Sequence, residues 1–231
     1  MTVIWEMFTY QFMQKALMVG VLVSLCAALL GVSLVLKRYA MIGDGLSHVG
    51  FGALSVALAM NLAPLQVAVP VVVLAAFFLL RISANTRIKA DAAIALISSS
   101  ALAIGVIVTS LSTGMNVDVI SYMFGSVLAM STSDVYLSAL LSIVVLLLFI
   151  LCYHQIFAIT FDEPFARATG INVGVYHMML ALLTALTVVV GMRIMGTLLI
   201  SSLIIFPALT AMRVCASFRG VVLLAAVLSV A

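Results

Sequence analysis

Two side chains able to ligate a metal stand close together in an otherwise apolar stretch. The segment GDGLSHVG, residues 43–50, places the carboxylate of Asp44 four residues before the imidazole of His48. On a helix, positions i and i+4 share a face with Cβ atoms about 5–6 Å apart. One carboxylate oxygen and one imidazole nitrogen can then converge on a single cation. That donor pair suits borderline divalent ions such as zinc, manganese or iron. Ser47 offers a further weak oxygen, and Gly43, Gly45, Gly50 and Gly52 leave the backbone exposed or close to a neighbouring helix. A structural alternative stands beside this reading. Asp44 can serve as the N-cap of a helix, its oxygen accepting from a free backbone N–H, with His48 as its ordinary partner. Two ligands alone do not make a tight site, although a transport site can bind loosely.

The remaining metal-binding types point elsewhere. His154 and His177 fall at the ends of apolar runs, as interfacial histidines do. The chain has 14 Met, including Met192 and Met195, which in so apolar a chain read as packing. Cys26, Cys152 and Cys215 form no CxxC pair and read as buried thiols.

A second informative stretch is FDEPFARATGINVG, residues 161–174. Asp162 is a good N-cap, Pro164 suits a first helical turn, and Gly170 suits a C-terminal stop. A short helix results, with Phe161, Phe165 and Ala168 exposed. Exposed aromatics on a short helix suggest a docking surface; a helix lying flat on the membrane interface is the other reading.

The elements that position these groups follow from composition. Of 231 residues, 66% are hydrophobic and 7% charged, and the mean hydropathy is +1.41. Soluble domains carry roughly 25% charged residues, so the chain belongs in lipid. The net charge is only +3, and no basic patch points to nucleic acid. The N-terminal stretch lacks the charged head and cleavage site of a signal peptide, so insertion is expected from the chain's own spans.

A spanning helix needs about 20 apolar residues. Seven stretches approach or meet this: 16–36, 43–60, 62–80, 92–111, 135–153, 175–192 and 194–212. An eighth begins at Gly220 and is incomplete at Ala231. The fold class expected is therefore an all-α polytopic bundle of about eight spans, the last one incomplete, forming one transmembrane domain over 1–231. The apolar run 119–130 is too short to cross and is expected as a re-entrant or outer-surface helix. With that arrangement Lys37, Arg38, Arg81, Arg87, Lys89, Arg167, Arg213 and Arg219 are cytoplasmic and only Lys15 and Arg193 lie outside, eight against two. A full crossing by 119–130 would give six against four. The outer loops then hold Glu6, Asp118 and Asp134, a mildly acidic face.

No GxxxxGK[ST] is present to cradle nucleotide phosphates, and no HExxH to build a zincin. An enzyme is therefore disfavoured. An ion-coupled secondary carrier remains a rival, against which the docking-like helix counts.

Five ordered blocks carry a resemblance over nearly the whole chain: LKRYAMIGDGLSHVGFGALSVAL, KADAAIALISSSALAIGVIV, DVISYMFGSVLAMSTSDV, FDEPFARATGINV and MRIMGTLLISSLIIFPALTAMR. The chain resembles the membrane permease subunit of ATP-binding-cassette importers for zinc, manganese and iron. The resemblance implies metal coordination by Asp44 and His48, which match the family's Asp-x-x-x-His. It also implies that 161–172 is the cytoplasmic coupling segment on which an ATPase docks, through Phe161, Asp162, Glu163, Phe165 and Gly170. Zinc is the favoured cargo, because GMRIMGTLLISSLIIFPALT looks most like the zinc-uptake members; manganese and iron are the alternatives. Further implications are a permease homodimer, a pair of ATPase subunits that hydrolyse ATP on a separate chain, an extracytoplasmic metal-binding protein and a cytoplasmic-membrane location. Family members continue through a final hairpin, so more chain is expected beyond Ala231.

Overall fold

In hydrocarbon every backbone N–H and C=O must find a partner within the chain, and a helix satisfies them locally. The computed structural model describes residues 10–85, 90–112, 124–125 and 132–231. Among these it contains ten helices and no strand. They are α1 (Gln11–Leu36), α2 (Ile42–Ala59), α3 (Pro64–Asn85), α4 (Ala90–Leu111), α5 (Thr132–Leu151), α6 (Tyr153–Phe161), α7 (Glu163–Ala168), α8 (Val173–Met195), α9 (Thr197–Val214) and α10 (Phe218–Val230). Each of the eight apolar stretches read from the sequence holds one of the longer helices. Among the described residues, α1, α2, α4, α8 and α9 are long and apolar enough to cross a membrane alone. The stretch 135–153 departs from a straight span. Its helix stops at Leu151, and the chain turns by 67° at Cys152 into α6. Tyr153, Phe157 and Phe161 of α6 then gather around Phe218 at the start of α10, with ring centroids 5.6, 5.1 and 5.7 Å away.

The bundle is organised around α1 and α2. Helix α1 packs against α9, α10, α5 and α8; α2 packs against α4, α3, α9 and α8. Lipid gives no hydrophobic drive for helices to meet, so the contacts rely on close backbone approach at small residues. A Cβ added at Gly52 of α2 would stand 2.6 Å from the Ala101 carbonyl oxygen of α4. That obstacle is backbone, which cannot rotate away. Gly52→Val is therefore expected to destabilise the permease by about 1–3 kcal/mol, the usual range for overpacking. A lowered melting midpoint of the detergent-solubilised protein is the readout, and an unchanged midpoint would show that α2 and α4 do not pack this closely.

Contacts across the bundle fix which ends lie together. Lys37, after α1, lies 3.3 Å from Glu163 at the start of α7. With α2, α3, α4 and α5 running between these points in alternate directions, Leu111 and Thr132 both fall at the opposite end. Gly125 abuts the backbone of Met195 and Gly196, also at that end. Apart from Phe124 and Gly125, the expected re-entrant helix 119–130 lies outside the described residues, as do Glu6 and Asp118. A single cysteine at Ala168, an exposed position of α7, should resist an impermeant thiol reagent added to intact cells and react in inside-out vesicles. The background for this test replaces the three free cysteines. Labelling from outside would invert the orientation.

Candidate functional site

Helix α2 begins at Ile42, and its N-cap is Met41, which makes no side-chain cap hydrogen bond. Asp44 is thus the third residue of the first turn. The capping alternative read from the sequence does not hold: the position before the helix is filled by a different residue, and its backbone is already helical (φ −74°, ψ −6°). In the first turn the Asp44 charge sits at the favourable end of the helix dipole. The glycines and apolar residues around it on α2 are buried, whereas Asp44 and His48 keep 35% and 21% of their side chains accessible.

Asp44 Oδ2 and His48 Nε2 are 3.7 Å apart. That is too long for a hydrogen bond. Two ligand atoms each about 2.1 Å from a tetrahedral ion stand roughly 3.4 Å apart. A small side-chain rotation brings the pair to that separation. Ser47 does not join them. Its hydroxyl donates to the Asp44 carbonyl at 2.7 Å and lies 3.4 Å from Ser201 Oγ, so it serves the contact between α2 and α9. Among the described residues no group of three or more His, Cys, Asp or Glu is placed to hold a metal. Met192 is fully buried, its Sδ packed at the Gly50 face of α2, as its packing reading expects. Cys26 donates to the Ser142 carbonyl at 3.3 Å and is likewise structural.

The second stretch folds as its residues predict. Asp162 Oδ1 accepts from the Phe165 N–H at 3.0 Å, and Pro164 sits in the first turn of α7. At the other end Gly170 has φ +86°, the Gly170 N–H reaches Arg167 O at 3.1 Å, and the Ile171 N–H reaches Ala166 O at 3.0 Å. These two bonds make the Schellman stop that favours glycine. Phe165 is 61% exposed and Phe161 59%. Phe161 is not on the short helix: it ends α6 and stacks on Phe157 and Phe218.

Glu163 points back into the bundle. It accepts from Arg167 at 2.8 Å and from Lys37 at 3.3 Å, and His177 Nε2 is 3.7 Å away. Lys37 Nζ also makes a close contact with His177 Nε2. Burial pushes the Lys37 ammonium below its ordinary value, and the charge of Glu163 opposes that push. Burial raises Glu163, but the Arg167 hydrogen bond and the Lys37 charge outweigh it and hold the carboxyl below its ordinary value. A depressed carboxyl contributes its stability above the ordinary carboxylate range and loses it on acidification through the lowered value. The cluster was not legible in the sequence, because its members are 126 and 140 residues apart. Only their common placement on the cytoplasmic side hinted at it.

An apolar helical bundle with a carboxylate–imidazole pair at the start of a span, and a capped short helix at one end, has the architecture of a polytopic membrane protein. The chain belongs to the ABC 3 transport family, whose profile matches residues 9–231. It is similar to the manganese transport system membrane protein MntC of Halalkalibacterium halodurans, with 32% identity over 89% of this chain and 70% of that one. It is also similar to the high-affinity zinc uptake system membrane protein ZnuB of Haemophilus influenzae, with 31% identity over 88% of this chain and 78% of that one. Among solved structures, PsaBC from Streptococcus pneumoniae in complex with Fab superimposes with a TM-score of 0.85. The identity is 30%, over 98% of this chain and 82% of that one. The chain is accordingly a multi-pass protein of the cytoplasmic membrane.

Proposed function

We propose that this chain is the permease subunit of an ATP-driven importer that carries a divalent metal ion across the cytoplasmic membrane, with zinc as the favoured cargo. The observation that carries the reading is the Asp44–His48 pair: two ligand atoms 3.7 Å apart, partly accessible, at the start of an otherwise buried span. Water or a second copy of the chain supplies the remaining ligands, which keeps the ion loosely held and able to leave. Relatives named for manganese and for zinc both support a metal cargo. Manganese is the second reading, since a carboxylate oxygen suits it and MntC is among those relatives.

The chain transports and does not hydrolyse ATP. Two ATPase subunits dock on α7 and the residues flanking it, including Phe161, Asp162, Glu163, Phe165 and Gly170, beneath a permease homodimer. An extracytoplasmic metal-binding protein delivers the ion to the outer face. Closure of the ATPases moves α7, and the pair is exposed alternately to either side, as a two-state transporter requires. The test is ATP hydrolysis by the purified permease–ATPase complex with its binding protein, titrated with zinc and with manganese. Stimulation by zinc at lower concentration supports zinc, and the reverse order assigns manganese. Stimulation by neither ion, with the complex intact, would remove the metal-import reading.

A further inference from the structure

We infer that Glu163 and Lys37 form the mechanical link that carries movement of the short helix α7 to the start of α2. The inference rests on the proposed function above and names a positioning role for two residues.

Glu163 is the first residue of α7, and its carboxylate leaves that helix to meet Lys37 at 3.3 Å. Lys37 is the C-cap of α1, seven positions before Asp44. Its side chain is only 10% exposed and that of Glu163 is 34% exposed, so the pair is partly shielded from the screening that weakens surface ion pairs. The elbow between Lys37 and Ile42 is fixed rather than slack. The Tyr39 N–H reaches Leu34 O at 2.8 Å, the Arg38 N–H reaches Val35 O at 3.1 Å, and the Ile42 N–H reaches Tyr39 O at 3.0 Å. Arg38 holds φ +63°, a left-handed position in a non-glycine residue. Such a conformation persists only where the surroundings impose it. A displacement of Lys37 is therefore handed on to the first turn of α2 and is not absorbed by the loop.

A further contact extends the link. His177, one turn into α8, contacts Lys37, so the same ammonium also touches the next span; Glu163 stands 3.7 Å from His177 Nε2, too far for a hydrogen bond. Beneath the elbow, Ser33, Lys37, Tyr39, Ile42 and His177 line a small cavity. One acidic residue of α7 thus holds Lys37 at the end of α1, and through Lys37 it reaches the approach to α2 and the beginning of α8.

The test uses the complete permease–ATPase complex in proteoliposomes and reads metal ions moved per ATP hydrolysed. Lys37→Met keeps the length of the side chain and removes its charge. The ratio should fall roughly tenfold, the loss that one charge-assisted hydrogen bond commonly carries. Basal ATP hydrolysis and the amount of ATPase co-purified should stay at the wild-type level. Lys37→Arg keeps the charge and should retain most of the coupling. Glu163→Gln should lower the ratio as Lys37→Met does, and the double variant should be no worse than either single one. A wild-type ratio in Lys37→Met, an equal fall in Lys37→Arg, or multiplying losses in the double variant would overturn the link. Should Lys37→Met fail to reach the membrane, the Lys37→Arg and Glu163→Gln ratios decide alone. Failure of the permease reading shows separately, as a wild-type complex that moves no metal, and the link falls with it.

Discussion

Asp44→Asn is expected to lower metal uptake by about a hundredfold or more, while the permease reaches the membrane at its normal level. The magnitude follows from what the substitution removes. A hydrogen-bonding partner of a metal ligand commonly accounts for 10–100-fold in affinity or activity, and a ligand itself for at least as much. Asparagine keeps an oxygen in the same place but loses the negative charge that offsets desolvation of a divalent ion. Its cost to folding is small. Asp44 is the third residue of α2, past its N-cap Met41, so the helix loses chiefly a charge–dipole term of about 0.3–1 kcal/mol. His48→Gln should act in the same way, because an amide is a poor substitute for imidazole toward zinc. The assay is uptake in cells whose only zinc or manganese importer is the variant, with membrane levels checked by blot. Near-normal uptake by both variants would make the pair structural, and Asp118, on the expected outer side, becomes the next candidate ligand.

Phe165→Ala is expected to weaken retention of the ATPase by about 30-fold, the effect of an interface hot spot near 2 kcal/mol. The ring is 61% exposed and takes no part in the bundle core, so its removal leaves the permease folded. Phe161 is a poorer probe, since its ring also supports the cluster around Phe218. Gly170→Ala separates shape from contact. A Cβ there meets nothing within 4 Å, yet the residue holds φ +86°. The change therefore costs only the left-handed conformation, about 1 kcal/mol, and should loosen docking less than Phe165→Ala. If both variants keep the ATPase bound and transport intact, residues 161–172 are only a connector.

Local chemistry made much of this legible in advance. The apolar stretches had to be helices because lipid offers the backbone no other partner. The start and stop of α7 were readable because an Asp cap and a glycine stop act within a few residues. The i,i+4 spacing of Asp44 and His48 placed both on one face of α2, where they are found. Three features were not readable, each for a physical reason. The 67° turn at Cys152 carries no proline or glycine to announce it; it follows from where α6 finds Phe218 to pack on. Asp44 resembled an N-cap because sequence does not fix a helix start to within two residues. The Lys37–Glu163–His177 cluster depends on tertiary packing between distant segments, which no local spacing encodes. Likewise Ala166, in the middle of an exposed-looking loop, is fully buried, because α7 turns that face to the bundle.

The most direct test is metal accumulation inside proteoliposomes that contain the permease with its ATPase, loaded with the extracytoplasmic binding protein and zinc or manganese. Permeases oriented with the ATPase outward should drive the ion out of vesicles only when ATP is supplied. Oppositely oriented ones should take it up only with ATP sealed inside. In both, Asp44→Asn should abolish the movement. Equal metal flow without ATP, driven by an ion gradient and undiminished when the ATPase is left out, would contradict the assignment and make this chain a secondary carrier.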